Sequence, residues 1–207
     1  MTKIDLSQFD NIIFDFGGVI LDINPELTKQ AFINIYGKKS VDKLFSENLT
    51  QKFENGLIDF DEFLSLANNI AGKVVPKEEF IAAWSKMLLD YHPERIKKIK
   101  ELRKTHKLFL LSNTNQIHFD NFDNKLKKEY NCRLYDLFDN LFLSHKMKMI
   151  KPNLEIFKTV IKKEKLIPER TLFIEDSEEN AETARQTGIK TLVIKRNSNF
   201  YDYIGKF

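Results

Sequence analysis

Five short, almost continuous apolar runs recur along this chain, and they constrain its fold more than any other feature. The runs occupy 11–16, 107–111, 140–143, 171–174 and 191–194. Strands buried on both faces of a parallel sheet have this uninterrupted pattern, whereas half-exposed strands alternate apolar and polar residues. The runs therefore predict a central parallel sheet that is covered on both sides.

Amphipathic helical patterns separate most of these runs. They cover 93–104, 154–164 and 178–186, and the last of them begins after Ser177 as an N-cap and ends before Gly188. Strands that alternate with helices are typical of a doubly wound α/β fold. We therefore predict a Rossmann-like parallel sheet flanked by helices.

The alternation is interrupted once, because 22–92 carries only helical signals. Three helices are predicted there, from Asn24-Pro25 to Gly37, from the capping pair Asp59 and Glu62 to Gly72, and from Pro76 through Leu88. Their apolar residues recur at helical spacing, which favours a small bundle with its own core. We predict a core domain formed by 1–21 and 93–207, with 22–92 as a helical insertion.

Charge and cysteine content argue against several classes of protein. The chain has 33 Lys and Arg against 30 Asp and Glu, a net charge of +3 without a long basic block, so nucleic acid is not expected as a partner. Cys132 is the only cysteine, which excludes an internal disulfide and fits a reducing compartment. No segment approaches the roughly 18 apolar residues of a membrane span, so we expect a soluble, cytoplasmic protein without a membrane partner.

Polar residues follow four of the apolar runs. They are Asp15, the pair Ser112 and Asn113, Lys151, and the pair Glu175 and Asp176. Each is a weak signal alone, because an Asp at a strand end is commonly a helix cap and Lys is commonly solvated. Ligands in open α/β sheets bind beyond the carboxyl ends of the strands, so these residues are expected to share one crevice.

Three carboxylates in one crevice require a compensating charge. Asp15, Glu175 and Asp176 supply the hard oxygen ligands that suit Mg²⁺, which also keeps water and phosphate oxygens in its coordination shell. Lys151 and Ser112 could then hold the remaining phosphate oxygens. The residues alone therefore predict a magnesium site that handles a small phosphorylated metabolite.

The four segments IFDFGGVI (13–20), LLSNTN (110–115), MIKP (149–152) and FIEDS (173–177) together resemble the motifs of the haloacid dehalogenase-like hydrolase superfamily. Their order, with a helical insertion after the first, is similar to the members with a helical cap, and the resemblance covers essentially the whole chain. The segments look closest to a bacterial branch that contains sugar-phosphate phosphatases, including α-glucose-1-phosphate phosphatase.

The resemblance implies a phosphoric monoester hydrolase and assigns roles to the motif residues. Asp15 would attack phosphorus and form an aspartyl-phosphate, while Ser112 and the backbone of Asn113 bind the transferring phosphoryl group. Lys151 would orient Asp15 and neutralise charge. Asp176 would ligate Mg²⁺ directly, with Glu175 beside it, either directly or through water.

The first motif departs from the usual pattern at Gly17. Most phosphatases of the superfamily have a second Asp there, which serves as general acid and base. The carbonyl of Gly17 can still ligate the metal, but the proton donor must come from elsewhere, such as water, Asp22 or a side chain of the cap. General acid–base catalysis contributes about 10²- to 10⁴-fold, so this loss matters.

Three functions remain open from the sequence. The first is a magnesium-dependent phosphatase whose leaving group or surroundings compensate for Gly17. The second is a metal-independent 2-haloacid dehalogenase, whose motif also lacks the second Asp but has no need of the acidic pair Glu175 and Asp176. The third is a catalytically weak protein that binds a phosphorylated metabolite.

One turn within the insertion is a candidate substrate contact. Glu54 and Asn55 precede Gly56 in a segment that resembles the part of the cap facing the active site in this branch. Ordinary turn chemistry explains an Asn-Gly pair equally well. Asn180, which follows the fourth motif, is expected to order the loop there.

Overall fold

The computed structural model describes residues 3–205, so the ends of the predicted core domain, 1–2 and 206–207, lie outside the described residues. The predicted parallel sheet is confirmed. Its five strands are β1 (Asn11–Phe14), β4 (Lys107–Ser112), β5 (Asn140–Leu143), β6 (Thr171–Glu175) and β7 (Lys190–Val193), and the two strands between β1 and β4 belong to the insertion described below. The spatial order is β5-β4-β1-β6-β7, and all neighbouring strands are parallel.

Helices cover both faces of this sheet. Those outside the insertion are α6 (Pro93–Leu102), α7 (Gln116–Tyr130), α8 (Leu134–Leu137), α9 (Ser144–Met147), α10 (Leu154–Glu164) and α11 (Glu178–Arg185). Successive side chains of β1 point to opposite faces, because Ile12 and Phe14 belong to one buried cluster and Ile13 to another. None of the described helices is both long and apolar enough to cross a membrane.

The insertion forms a helical bundle. Its helices are α1 (Pro25–Tyr36), α2 (Lys38–Ser46), α3 (Leu49–Glu54), α4 (Phe60–Ala71) and α5 (Lys77–Trp84). Phe32, Phe63, Phe80 and Trp84 lie at the centre of a buried cluster separate from those of the sheet. This separate core supports the division into a core domain and a cap, and the boundaries at 22 and 92 remain a prediction.

Two expectations for the insertion were wrong. It is not purely helical, because β2 (Leu21–Ile23) and β3 (Leu88–Tyr91) pair antiparallel where the chain enters and leaves the cap. The third α-helix ends at Trp84, a 3-10 helix follows over Ser85–Met87, and Leu88 already belongs to β3. Both strands are short and contain an Asp, so neither has the apolar run that marks the strands of the main sheet.

Candidate active site

The carboxyl ends of β1, β4 and β6 bring the predicted residues together. Asp15 directly follows β1, and its backbone N–H donates to the carbonyl of Ile174 at 2.9 Å, which continues the pairing with β6. Ser112 and Glu175 are the last residues of β4 and β6. Because β1 lies between these two strands, the three side chains meet at one edge of the sheet.

Lys151 lies at the centre of this edge and is only 4% exposed. Its Nζ donates to Asp15 Oδ1 at 2.6 Å and to Glu175 Oε2 at 2.7 Å. Burial alone would lower the pKa of Lys151, but the two carboxylates raise it above the ordinary value of a lysine. The ammonium is therefore held in its charged form, where it neutralises part of the acidic cluster.

Each carboxylate oxygen of Glu175 accepts two hydrogen bonds. Oε1 accepts the backbone N–H groups of Asp176 at 3.0 Å and Ser177 at 3.2 Å. Oε2 accepts Lys151 and, at 3.1 Å, the side-chain amide of Asn180, which orders this loop as expected. Burial opposes ionisation of Glu175, yet Lys151 and these hydrogen bonds hold the pKa of the carboxyl below its ordinary value.

Asp15, Glu175 and Asp176 each offer an oxygen, and these oxygens all lie within 4.8 Å of one another. Burial and the charge of Glu175 raise the pKa of Asp15 to about 7, although Lys151 opposes the rise. Arg196 donates to Oδ2 of Asp176. Three carboxylates and two cationic side chains leave negative charge uncompensated, and this oxygen-only set fits a hard divalent cation such as Mg²⁺.

Asn113 connects Lys151 to the second motif. Its side-chain amide donates to the carbonyl of Lys151 and accepts the backbone N–H of Lys151, both at 2.9 Å. The side chain of Asn113 is thereby occupied, and its backbone remains as the candidate phosphate contact. Ser112 is buried beside Asn113, and among the described residues its hydroxyl makes a single long contact, 3.5 Å to the Asn113 carbonyl.

The turn that ends α3 packs against the core next to the second motif. The hydroxyl of Ser144 lies 2.6 Å from the carbonyl of Glu54 and accepts the backbone N–H of Thr114 at 2.8 Å. Gly56 has a φ of +65°, and a Cβ there would lie 2.3 Å from the carbonyl oxygen of His145. Only glycine allows the turn to approach the core this closely.

Glu54 is half-buried, and burial raises the pKa of its carboxyl to about 7. It lines a cavity of about 490 Å³ inside the cap. The other residues of the lining are Pro25, Glu26, Thr28, Lys29, Asp42, Phe45, Thr50, Trp84 and Met87. Glu54 thus lines this cavity with its side chain, while its backbone carbonyl contacts Ser144 beside the second motif.

Gly17 and Asp22 lie where the first motif leads into the cap. Gly17 forms a bridge with Leu21, and a Cβ on Gly17 would meet the side chain of Ile23 at 3.1 Å. Asp22, one of the possible substitute acids, accepts hydrogen bonds from Arg95 and approaches His92, both at 2.7 Å. Arg95 is fully buried, so it holds Asp22 in an ion pair where the cap joins the core.

Sequence reasoning missed Arg196 and Ser144. Arg196 follows β7, the fifth strand of the sheet, and the rule that places chemistry at strand ends applies to that strand as well. Ser144 follows β5 and connects Thr114 to the cap. Nothing in the sequence marks it, because a serine after a strand is an ordinary helix start.

A model of haloacid dehalogenase-like hydrolases matches residues 9–188. The chain belongs to this family. The resemblance stated from its motifs is thus confirmed. All four motifs of this haloacid dehalogenase-like hydrolase lie within the matched part, whereas Arg196 lies beyond it.

Relatives that match along most of the chain include phosphatases. D-ribitol-5-phosphate phosphatase of Bacteroides thetaiotaomicron is 33% identical over 184 residues, which cover 87% of this chain and 89% of that protein. The structure of a haloacid dehalogenase family enzyme of the same organism, in complex with magnesium and inorganic phosphate, has a TM-score of 0.88 and 31% identity, covering 94% of this chain and 98% of that one. An L-2-haloacid dehalogenase of Xanthobacter autotrophicus covers 90% of this chain and 77% of its own, with a TM-score of 0.58 and 17% identity, and shares the fold alone.

Proposed function

We propose that the chain is a Mg²⁺-dependent phosphatase that hydrolyses a small phosphorylated metabolite, a sugar or polyol phosphate, through an aspartyl-phosphate on Asp15. The observation that carries this proposal is the buried group in which Lys151 contacts both Asp15 and Glu175, with Asp176 beside them. The predicted enzyme class, a phosphoric monoester hydrolase, and the predicted cofactor agree with the phosphatase relative and with the magnesium and phosphate complex of the structural neighbour.

Asp15, Asp176 and the carbonyl of Gly17 are the residues that would hold Mg²⁺. The ion would supply positive charge to the transferring phosphoryl group. Glu175 lies close enough to contribute, but its four donors assign it chiefly to orienting Lys151 and the fourth motif. Arg196 would release Asp176 or share it when the cation binds.

Asp15 is placed to act as the nucleophile. Its Oδ1 is fixed by Lys151, which leaves Oδ2 to attack phosphorus. Ser112 and the backbone of Asn113 would bind the phosphoryl oxygens, and Lys151 would balance their charge. Phosphoryl transfer needs mainly positioning and charge stabilisation from the protein, and a carboxylate nucleophile divides hydrolysis into two displacements.

Glu54 and Asn55 would contact the part of the substrate beyond the phosphoryl group. Asn55 has a buried Oδ1 without a hydrogen-bond partner among the described residues. A hydroxyl group of a sugar or polyol can donate to such an acceptor, and satisfying a buried polar atom stabilises the complex. The adjoining cavity has the volume for a small metabolite.

The test is turnover of a panel of sugar and polyol phosphates, with Mg²⁺ and with a chelator, alongside 2-chloropropionate. We expect phosphate release that requires Mg²⁺ and is lost in Asp15→Asn, whereas Asp61→Asn on the exposed side of the cap retains it. Chloride release without metal would instead identify a dehalogenase. Tight binding of a phosphorylated metabolite without any turnover would identify a binding protein.

A further inference from the structure

The carboxyl group of Glu54 has an unusual setting. Among residues 3–205, no hydrogen-bond donor or cation pairs with its side chain, and burial alone raises the pKa of the carboxyl. At a pKa of about 7, a large fraction of this carboxyl carries its proton at neutral pH. A carboxyl that is protonated at neutral pH can donate a proton during catalysis.

Backbone contacts place Glu54 beside the second motif, on the side of the cap. Ser144 contacts the Glu54 carbonyl and the N–H of Thr114, which is two residues beyond Ser112. Asn113, between them, holds the backbone of Lys151, whose Nζ contacts Asp15. Hydrogen bonds, together with the backbone of the second motif and the side chain of Lys151, therefore connect the turn of Glu54 to Asp15.

The cavity at Glu54 also has an unused donor. Trp84 lines it and is 3% exposed, and its indole Nε1 has no acceptor among the described residues. The centroids of the Trp84 and His118 rings lie 5.0 Å apart in a stacked arrangement, and the Nε2 of His118 lies 3.0 Å from the Trp84 carbonyl. These two contacts hold Trp84 of the cap against His118 of the core. Buried polar groups normally have a hydrogen-bond partner, and a hydroxyl oxygen of a bound molecule can accept the indole N–H of Trp84.

We propose that Glu54 is the general acid that protonates the leaving-group oxygen of the substrate, in place of the carboxyl that Gly17 lacks. This inference rests on the proposed phosphatase function and adds a catalytic residue to it. The cavity of Thr28, Thr50 and Trp84 then receives the hydroxylated remainder of the substrate.

The proton balance closes over the two displacements. As Asp15 forms its bond to phosphorus, the bond from phosphorus to the leaving oxygen breaks, and that oxygen takes the proton of Glu54. Glu54, now a carboxylate, accepts a proton from the water that attacks the phosphorus of the aspartyl-phosphate. The bond from phosphorus to Asp15 breaks, which returns both carboxyl groups to their starting forms.

The charged groups around Glu54 come from several elements. Lys29 and Glu26 of α1 and Asp42 of α2 line the same cavity, and His145 lies against the turn from the core. Burial lowers the pKa of His145, which favours the neutral form of this histidine. Lys29 and the two acidic groups carry opposite charges, and none of the three contacts the Glu54 carboxyl.

The test compares kcat/KM for two leaving groups in Glu54→Gln. An alkyl phosphate such as ribitol 5-phosphate needs protonation of its leaving oxygen, whereas 2,4-dinitrophenyl phosphate does not. We expect Glu54→Gln to lose about 10²- to 10⁴-fold on the alkyl phosphate and less than about tenfold on the aryl phosphate. Glu54→Asp should recover part of the alkyl activity, and exposed Glu78→Gln should leave both substrates unaffected.

The aryl phosphate also reports whether the variant is folded, since its turnover requires the phosphoryl-transfer groups at the sheet edge and Mg²⁺ but no proton from Glu54. An equal loss on both substrates, or no loss on either, overturns the role of Glu54 while the phosphatase function stands. Absence of phosphate release from both substrates by the unmodified protein overturns the proposed function, and the inference with it.

Discussion

Two glutamates, Glu175 at the sheet edge and Glu54 at the cap turn, have opposite surroundings. At the sheet edge, Glu175 accepts four hydrogen bonds, and Lys151 joins it to Asp15. At the cap turn, the side chain of Glu54 has no partner among the described residues. Pairing lowers the pKa of Glu175, whereas burial without pairing raises that of Glu54 to about 7.

This difference separates two chemical tasks. Phosphoryl transfer needs fixed, ionised groups to hold a cation and a nucleophile, and it needs a second group that can give and take a proton. In the mechanism proposed above, the core domain provides the first set and the cap provides the second. An unpaired carboxyl lowers the stability of the folded protein, which is a common property of catalytic groups.

The largest effect is expected from breaking the pairing at the sheet edge. Lys151→Met leaves Asp15 and Glu175 without their shared cation, so we expect the free energy of unfolding to fall by about 3–5 kcal/mol. Lys158→Met is the matched control, because Lys158 pairs with Glu155 at 2.8 Å on the surface. That change should cost less than about 1 kcal/mol. Urea denaturation with a chelator measures both, and similar losses would contradict the pairing described here.

A smaller effect is expected from moving the cap turn. Gly56→Ala places a methyl group 2.3 Å from the His145 carbonyl oxygen, so the turn must shift away from the core and carry Glu54 with it. Activity on an alkyl phosphate should fall about tenfold or more, since misplacement by about 1 Å can cost as much as 10²-fold. Gly72 has a similar φ of +61° with nothing within 4 Å, so Gly72→Ala shares the backbone strain only. Loss of activity in both variants to the same extent would show that the close approach of Gly56 is unimportant.

The smallest effect is a pH-dependent difference in stability between Glu54→Gln and the unmodified protein. The folded protein binds the Glu54 proton more tightly than the unfolded chain, so its stability falls as pH rises from the ordinary value of 4.5 to about 7. Glutamine does not titrate, so the advantage of the variant should grow by about 2 kcal/mol between pH 5 and pH 8. Thermal or urea unfolding at several pH values measures it. An advantage that stays constant with pH, as we expect for Glu78→Gln, would show that the Glu54 carboxyl is not strained.

The sheet and the residues at its edge could be predicted from the sequence, because the end of an apolar run marks the end of a strand. Asp15, Ser112 and Glu175 each end or follow an apolar run, and parallel strands place such residues at the same edge. The run at 191–194 carried the same information for Arg196, which follows β7 and contacts Asp176.

The cap could be predicted only in part, because its geometry depends on contacts between distant segments. The spacing of apolar residues predicted α1 and α4, whereas β2 and β3 are too short for a periodic signal. The unpaired state of Glu54 results from what surrounds it, and no residue near it in sequence reveals that. The contact of Ser144 with the Glu54 carbonyl spans 90 residues and has no local signature.

The measurement that tests the central claim most directly is the detection of a phosphoryl group on Asp15 during turnover. Hydroxylamine traps acyl phosphates, so enzyme turning over 2,4-dinitrophenyl phosphate in its presence should form a hydroxamate that peptide mass mapping can locate. We predict modification of the peptide that contains Asp15 when Mg²⁺ is present, and none with a chelator or in Asp15→Asn. Sustained phosphate release with an unmodified Asp15 peptide, or with the label on another residue, would contradict the account.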